Sequence, residues 1–203
     1  MELSEAVARR RMVRRYDGAP VDPAALGRIL ETASRAPSAG FSQGQALVAV
    51  TDRSTRLGVA ACCAEDRHVA AGRPAWVSSA PVLVVPCVRP ADYAQRYGEA
   101  DKGDAARPSA WPVPFWWVDG GASLMLLLLA AVDEGLSAGF LDVEDREGLR
   151  SLLAIPDDVE PLGVVTVGHR HPHERPVGSG TRRPRRDQVH HERWGGSKPP
   201  QRE

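Results

Sequence analysis

The sequence predicts an α+β fold in one domain, or in one domain with an arm. Three observations carry that reading. A chain of 203 residues, 42% hydrophobic and 26% charged, is long and apolar enough to bury one sizeable core. Helical and strand patterns follow one another irregularly, with few of the strand–helix–strand units that a doubly wound sheet needs. Neither a GxGxxG after a strand nor a Walker loop occurs, so two common nucleotide-binding α/β signatures are missing.

Residues 3–13 read as a short helix running into the basic cluster Arg9-Arg10-Arg11-Met12-Val13-Arg14-Arg15, and Asp17-Gly18 is a turn. Asp22 can cap and Pro23 suits a first helical position, so a helix starts there. Leu26, Ile29, Leu30 and Ala33 recur at helical spacing, and Pro37 halts the helix near Arg35. Ala36–Ser42 is a loop of small residues, and Ala46–Thr51 reads as a strand. Residues 54–71 look helical, with Leu57, Ala60, Ala61 and Ala64 on one side. Pro81 precedes a strand from Val82 towards Val88. Residues 89–117 break the pattern with Pro90, Pro108, Pro112 and Pro114, Tyr93 and Tyr97, and Trp111, Trp116 and Trp117. A connection of that length reads as a lid or binding loop. Asp119-Gly120-Gly121 opens an Ala/Leu-rich helix through about Glu134, ended by Gly135. It is apolar on nearly all sides, which predicts a central place or a subunit interface. A loop or short strand at 136–143, a helix at 145–153 and a strand at Leu162–Val167 follow. From His169 onward the chain is rich in Pro, Arg and His.

The formal net charge is +0, so no global field would collect nucleic acid or anionic lipid, and neither is an expected partner. Lys102 and Lys198 are the only lysines. That arginine excess fits coding bias or phosphate binding by guanidinium forks. Cys62, Cys63 and Cys87 include no CxxC, which indicates neither a disulfide framework nor a zinc site. The longest apolar run, Leu124–Val132, is shorter than the ~20 residues of a membrane span. Without an apolar leader region the chain is expected in the cytoplasm. His169, His171 and His173 alternate around Pro172 with no carboxylate at ligand spacing, so no metal is expected.

Four constellations have chemical potential. Arg10, Arg11, Arg14 and Arg15 suit a phosphate or a solvated basic face. The loop Ala36–Gln45 brings backbone, Ser38 and Gln43 within reach of a flat ligand, or simply joins helix to strand. Gly135–Asp142 offers main-chain amides beside the apolar helix, or a helix cap and turn. The run Arg182–Arg186 reads as a tail or as weak evidence for nucleic acid, with no aromatic interleaving or groove-reading motif beside it.

The order of these segments resembles the FMN-dependent nitroreductase family. Ala8–Asp17 resembles its N-terminal signature, Ala36–Gln43 its second flavin-binding loop, and Asp119–Phe140 its central helix and the loop after it. Ile155-Pro156-Asp157 with Leu162–Gly168 resembles its last strand, and Arg182–Trp194 its C-terminal phosphate-binding arm. The similarity spans roughly residues 3–194.

The resemblance implies a central, mainly antiparallel sheet flanked by helices, in a domain-swapped homodimer with FMN at the subunit interface. Residues 1–170 would form the flavin domain, 89–117 its lid or pocket wall, and 171–203 an arm wrapping the partner. Arg10, helped by Arg11, matches the phosphate position, and Arg14 the basic residue at the flavin's pyrimidine edge. Pro37, Ser38, Phe41 and Gln43 match loop positions against ring or ribityl chain. Leu141 and Asp142 match positions facing N5 and O4, and Arg182 or Arg183 the late phosphate contact. Met12 stands where the family usually has Ser, and Phe41 where it has Asn. The activity implied is NAD(P)H-driven, ping-pong reduction of a nitroaromatic, quinone or conjugated alkene. Trp111, Trp116 and Trp117 could stack on that acceptor, and no catalytic side chain is required because the flavin carries the chemistry. The alternative is a flavin carrier or sensor without turnover.

Overall fold

The computed structural model describes residues 1–102, 108–174 and 188–196. The sheet is built from β1 (Gln45–Val50), β2 (Val82–Val88), β3 (Ser137–Leu141), β4 (Glu160–Pro161) and β5 (Val164–Gly168). Its order is β1-β2-β5-β3, every pairing is antiparallel, and β4 also pairs with β2. The antiparallel α+β expectation therefore holds. β2 is buried along its whole length. Pro86 lies within it, where the lack of an N–H should break a ladder. It is tolerated because β5 pairs only with Val82–Val84 and β4 takes over at Cys87.

Helix α1 (Leu3–Arg9) is shorter than expected. From Arg10 the backbone is extended, because Met12 bridges Ala138 of β3 and Tyr16 bridges Arg170. Tertiary pairing has overridden the helical pattern of residues 10–13. Helix α2 (Pro23–Ser34) forms as predicted: Asp22 accepts from the Ala24 N–H, and Pro23 is the first helical residue. The expected helix at 54–71 is two, α3 (Arg53–Cys62) and α4 (Glu65–Ala70), because Ala64 takes a left-handed φ of 53° between them.

The 89–117 segment is more ordered than its prolines suggested. It contains α5 (Pro90–Arg96) and the first turn of α6 (Phe115–Asp133). Asp119 does not open α6 but lies inside it, 8% exposed. By length and composition α6 could cross a membrane, with a mean hydropathy of 1.7. Here it packs on α2, β2 and β3 as a core helix. Residues 136–143 resolve as strand β3, and α7 (Arg146–Leu153) is capped by Asp145.

Candidate active site

An extended N-terminal strap, residues 10–16, runs along the β3 edge. The Val13 N–H donates to Ala138 O at 3.0 Å. The Tyr16 hydroxyl lies 2.7 Å from Thr166 Oγ1 and donates within 3.2 Å of two carbonyls. Gly139 permits this approach: a Cβ there would stand 2.4 Å from Val13 O and 2.8 Å from the Trp76 ring. The other wall is the turn after α4. Glu65, 5% exposed, accepts from the N–H groups of Val77 at 2.6 Å and Ser78 at 3.2 Å. That fixes the turn holding Trp76, whose ring lies 5.7 Å from the Arg14 guanidinium, in cation–π range.

Between strap, turn and the end of β3 lies a cleft of about 930 Å³, at the large end of small-molecule sites. Arg14, Leu141 and Asp142, all predicted site residues, line it together with Arg15, Trp76 and Phe140. Arg10 stands at the end of α1, half-buried, and its Nη1 is buried without a hydrogen-bond partner. An unpaired guanidinium nitrogen is costly unless an anion completes it. Arg11 is placed differently: its Nη1 donates to the carbonyls of Ala8 and Arg10 at 2.6 and 2.8 Å, so it caps its own helix.

The second predicted group lies elsewhere on the chain. Pro37, Ser38, Phe41 and Gln43 belong to a loop gripped by α5 and α6. Ala39 N–H donates to Asp119 Oδ2 at 2.8 Å, Arg96 Nε donates to Gly40 O at 2.9 Å, and Ser38 Oγ accepts from Gln43 N–H at 2.8 Å. None of the four lines the cleft. Phe41 is 74% exposed, and Phe41 and Gln43 hold left-handed φ values of 60° and 54°, a strain that a loop keeps only when its surroundings enforce it.

Trp111 and Trp116 also lie outside the cleft. They pack edge-on against Tyr93, and Trp111 against Tyr97 and Phe115, a wall of aromatic rings rather than an open platform. Trp117 is 42% exposed. Arg182 and Arg183 lie outside the described residues. Sequence reasoning missed Trp76, His68, Arg73 and Glu174 in the cleft. Of these only Trp76 carried a signal, as a lone large aromatic in a polar connection.

An antiparallel α+β sheet beside a cleft with guanidinium groups at its edge defines a small-molecule site suited to an anionic ligand. Comparison with known proteins makes that specific: the nitroreductase family profile matches residues 7–169, and the chain belongs to that family. It is an oxidoreductase of the nitroreductase type. A Methanothermobacter thermautotrophicus protein provisionally named NADH dehydrogenase/NAD(P)H nitroreductase is 29% identical, over 96% of this chain and 88% of its own. A Thermus thermophilus NADH dehydrogenase is 29% identical, over 87% of this chain and 95% of its own. Among solved structures, a nitroreductase family protein from Clostridium novyi superposes with a TM-score of 0.68 at 20% identity, covering 85% of this chain and 87% of its own. An FMN-dependent nitroreductase from Clostridium difficile gives a TM-score of 0.63 at 17% identity, covering 86% and 91%.

Proposed function

We propose that the chain is an FMN-dependent oxidoreductase that takes electrons from NAD(P)H and passes them to a small organic acceptor, a nitroaromatic, quinone or conjugated alkene. The observation that carries this reading is the buried, unpartnered Nη1 of Arg10. It lies four residues from Arg14, which lines the cleft. Extended chain covers ~3.3 Å per residue, so the two cations stand at a spacing suited to a ligand with a phosphate at one end and a planar ring at the other. The residues present therefore fit FMN: Arg10 would hold the phosphate, Arg14 the pyrimidine edge, and the main chain at Leu141 and Asp142 the N5 side. Arg182 or Arg183 would add the late phosphate contact.

When bound, FMN would supply the two-electron chemistry, accepting hydride from the nicotinamide and returning it to the acceptor. The protein's part is orientation and exclusion of water. Arg14, steadied over Trp76, would stabilise negative charge at the ring edge. One site serving donor and acceptor in turn gives ping-pong kinetics.

The working unit is a homodimer in this reading. Pro37, Ser38, Phe41 and Gln43 sit apart from their own protomer's cleft, so a second copy would bring them to it. Leu3, Val7, Val118 and Met125 are 69%, 55%, 51% and 47% exposed, an apolar surface on α1 and α6 suited to pairing. The aromatic segment would wall the acceptor pocket, with Trp117 stacking on the acceptor and Trp111 and Trp116 stiffening it. Such an enzyme works where the nicotinamide pool is, in the cytoplasm. The test is an absorbance spectrum of purified protein and anaerobic titration with NADH and NADPH. Flavin bands bleached by either support the proposal; a colourless protein that stays so with added FMN overturns it.

A further inference from the structure

Charge pairing in the cleft is lopsided. Each acid lining it is engaged: Asp142 pairs with Arg146 at 2.8 Å, Glu144 pairs with Arg67, and Glu174 accepts the Arg14 backbone N–H at 3.0 Å. Arg14, Arg15 and Arg73 also line the cleft, and among the described residues none of the three has a carboxylate within ion-pair distance. Elsewhere Arg9, Arg28, Arg35, Arg89, Arg96 and Arg150 are all paired with acids. Three guanidinium groups without a carboxylate partner along one cleft give it the donors that an anion needs.

Arg73 and His68 are organised together in the cleft. Arg73 Nη1 lies 3.2 Å from His68 Nδ1. Arginine can only donate, so Nδ1 accepts and the ring's proton sits on Nε2, a further donor. The Arg73 backbone N–H donates to His68 O at 3.0 Å, which ties the turn back to α4. In the flavin reading Arg10 and Arg14 serve the flavin itself. Arg73, His68 and Arg15 are then surplus to it.

We propose that Arg73, with His68 and Arg15, forms a second anion subsite in the cleft, for a phosphomonoester carried by the substrate that exchanges over the flavin. The subsite rests on the flavin reading for its role, though not for its existence. The 2′-phosphate of NADPH and a phosphorylated acceptor share this chemistry. The subsite suits either because guanidinium forks and an imidazole N–H are the donors that the oxygens of a phosphate dianion accept from. Carboxylate neighbours would spoil such a site, and here Asp142 and Glu144 are paired with arginines while Glu174 is held on the strap backbone.

The test uses the purified protein with whatever flavin it carries. Calorimetry with 2′,5′-ADP and 5′-AMP reads the subsite without turnover. The expected result is about tenfold tighter binding of 2′,5′-ADP, a preference erased in Arg73→Ala and partly kept in Arg73→Lys. Arg73 is exposed and among the described residues its side chain makes one bond, so the melting temperature of Arg73→Ala should match the parent. In turnover, a fall of about tenfold in the NADPH-to-NADH ratio of kcat/KM assigns the phosphate to the donor. With NADH as donor, an equal fall in the ratio for 4-nitrophenyl phosphate over nitrobenzene assigns it to the acceptor. If Arg73→Ala changes neither ratio and the two nucleotides bind alike, the subsite is rejected. A parent that stays colourless with added FMN and still prefers 2′,5′-ADP would reject the flavin reading and leave the subsite standing.

Discussion

The hydroxyl of Tyr93 donates to Asp119 Oδ2 at 2.9 Å, and the same oxygen accepts the backbone N–H of Ala39 at 2.8 Å. A carboxylate inside an apolar helix thus joins α5, α6 and the Pro37–Gln43 loop. Burial pushes the Tyr93 phenol well above its ordinary range, and the hydrogen bond to Asp119 adds to the effect. Its proton stays in place at working pH, so the direction of the bond is fixed.

Replacing Asp119 with Leu leaves the Tyr93 hydroxyl and the Ala39 N–H without an acceptor. The expected loss is about 2–4 kcal/mol of stability, one desolvation penalty for each donor. Asp119→Asn keeps a carbonyl oxygen that can accept both and should lie within ~1 kcal/mol of the parent. Urea unfolding of the two variants checks this, and equal stability of Leu and Asn would refute the joint.

Arg10→Ala should weaken FMN binding by about 1.5–3 kcal/mol, the worth of a charged hydrogen bond. Arg53→Ala, exposed at the start of α3, is the control and should leave affinity unchanged. Fluorescence titration of FMN into both proteins decides. Equal retention removes Arg10 from the phosphate site.

Cys63 lines the cleft, yet burial pushes its thiol up to about 12. Less than about one molecule in a thousand is then thiolate at pH 8, and alkylation by iodoacetamide should be far slower than for a free thiol. The same shift has a sign for stability. Unfolded chains ionise this thiol from about pH 8.5 while the folded one stays protonated, so its contribution is present below that pH and falls as pH rises towards 12. Replacing Cys63 with Ala should flatten the loss of melting temperature between pH 8.5 and 10; an unchanged slope would contradict the shift.

Gly139→Ala should loosen the strap. The added methyl meets Val13 O at 2.4 Å, and backbone cannot move aside as a flexible side chain would. A cost of about 1–3 kcal/mol is expected, together with weaker FMN binding because Arg14 rides on the same strap. A variant as stable as the parent would show that the strap tolerates displacement.

The fold was legible where local signals and tertiary contacts agree. Asp22-Pro23 announced α2, Pro81 and the valine run announced β2, and Asp145 capped a helix where the pattern placed one. It was misread where distant pairing prevails. Residues 10–13 carry a helical pattern but are drawn into extended form by Ala138, which lies 126 positions from Met12. Ala64 breaks a helix through a left-handed turn that an alanine does not advertise. In the site, the arginine cluster and Leu141-Asp142 were readable because their order along the chain resembles a known family. Arg73, His68 and Trp76 were not, since what unites them is the turn that buried Glu65 pins in place. A glutamate twelve residues away in sequence from the backbone it holds leaves no periodic trace.

The attachment of the strap to β3, Thr166 and Arg170 also sets when the cleft can come into being. Its first wall is synthesised at the start and its anchors near the end, so a nascent chain on the ribosome holds residues 10–16 without a docking edge until almost the whole domain has emerged. Contacts of such long sequence separation form late and slow folding. A chain cut short before its last strand would therefore keep its arginines and possess no cavity to put them in.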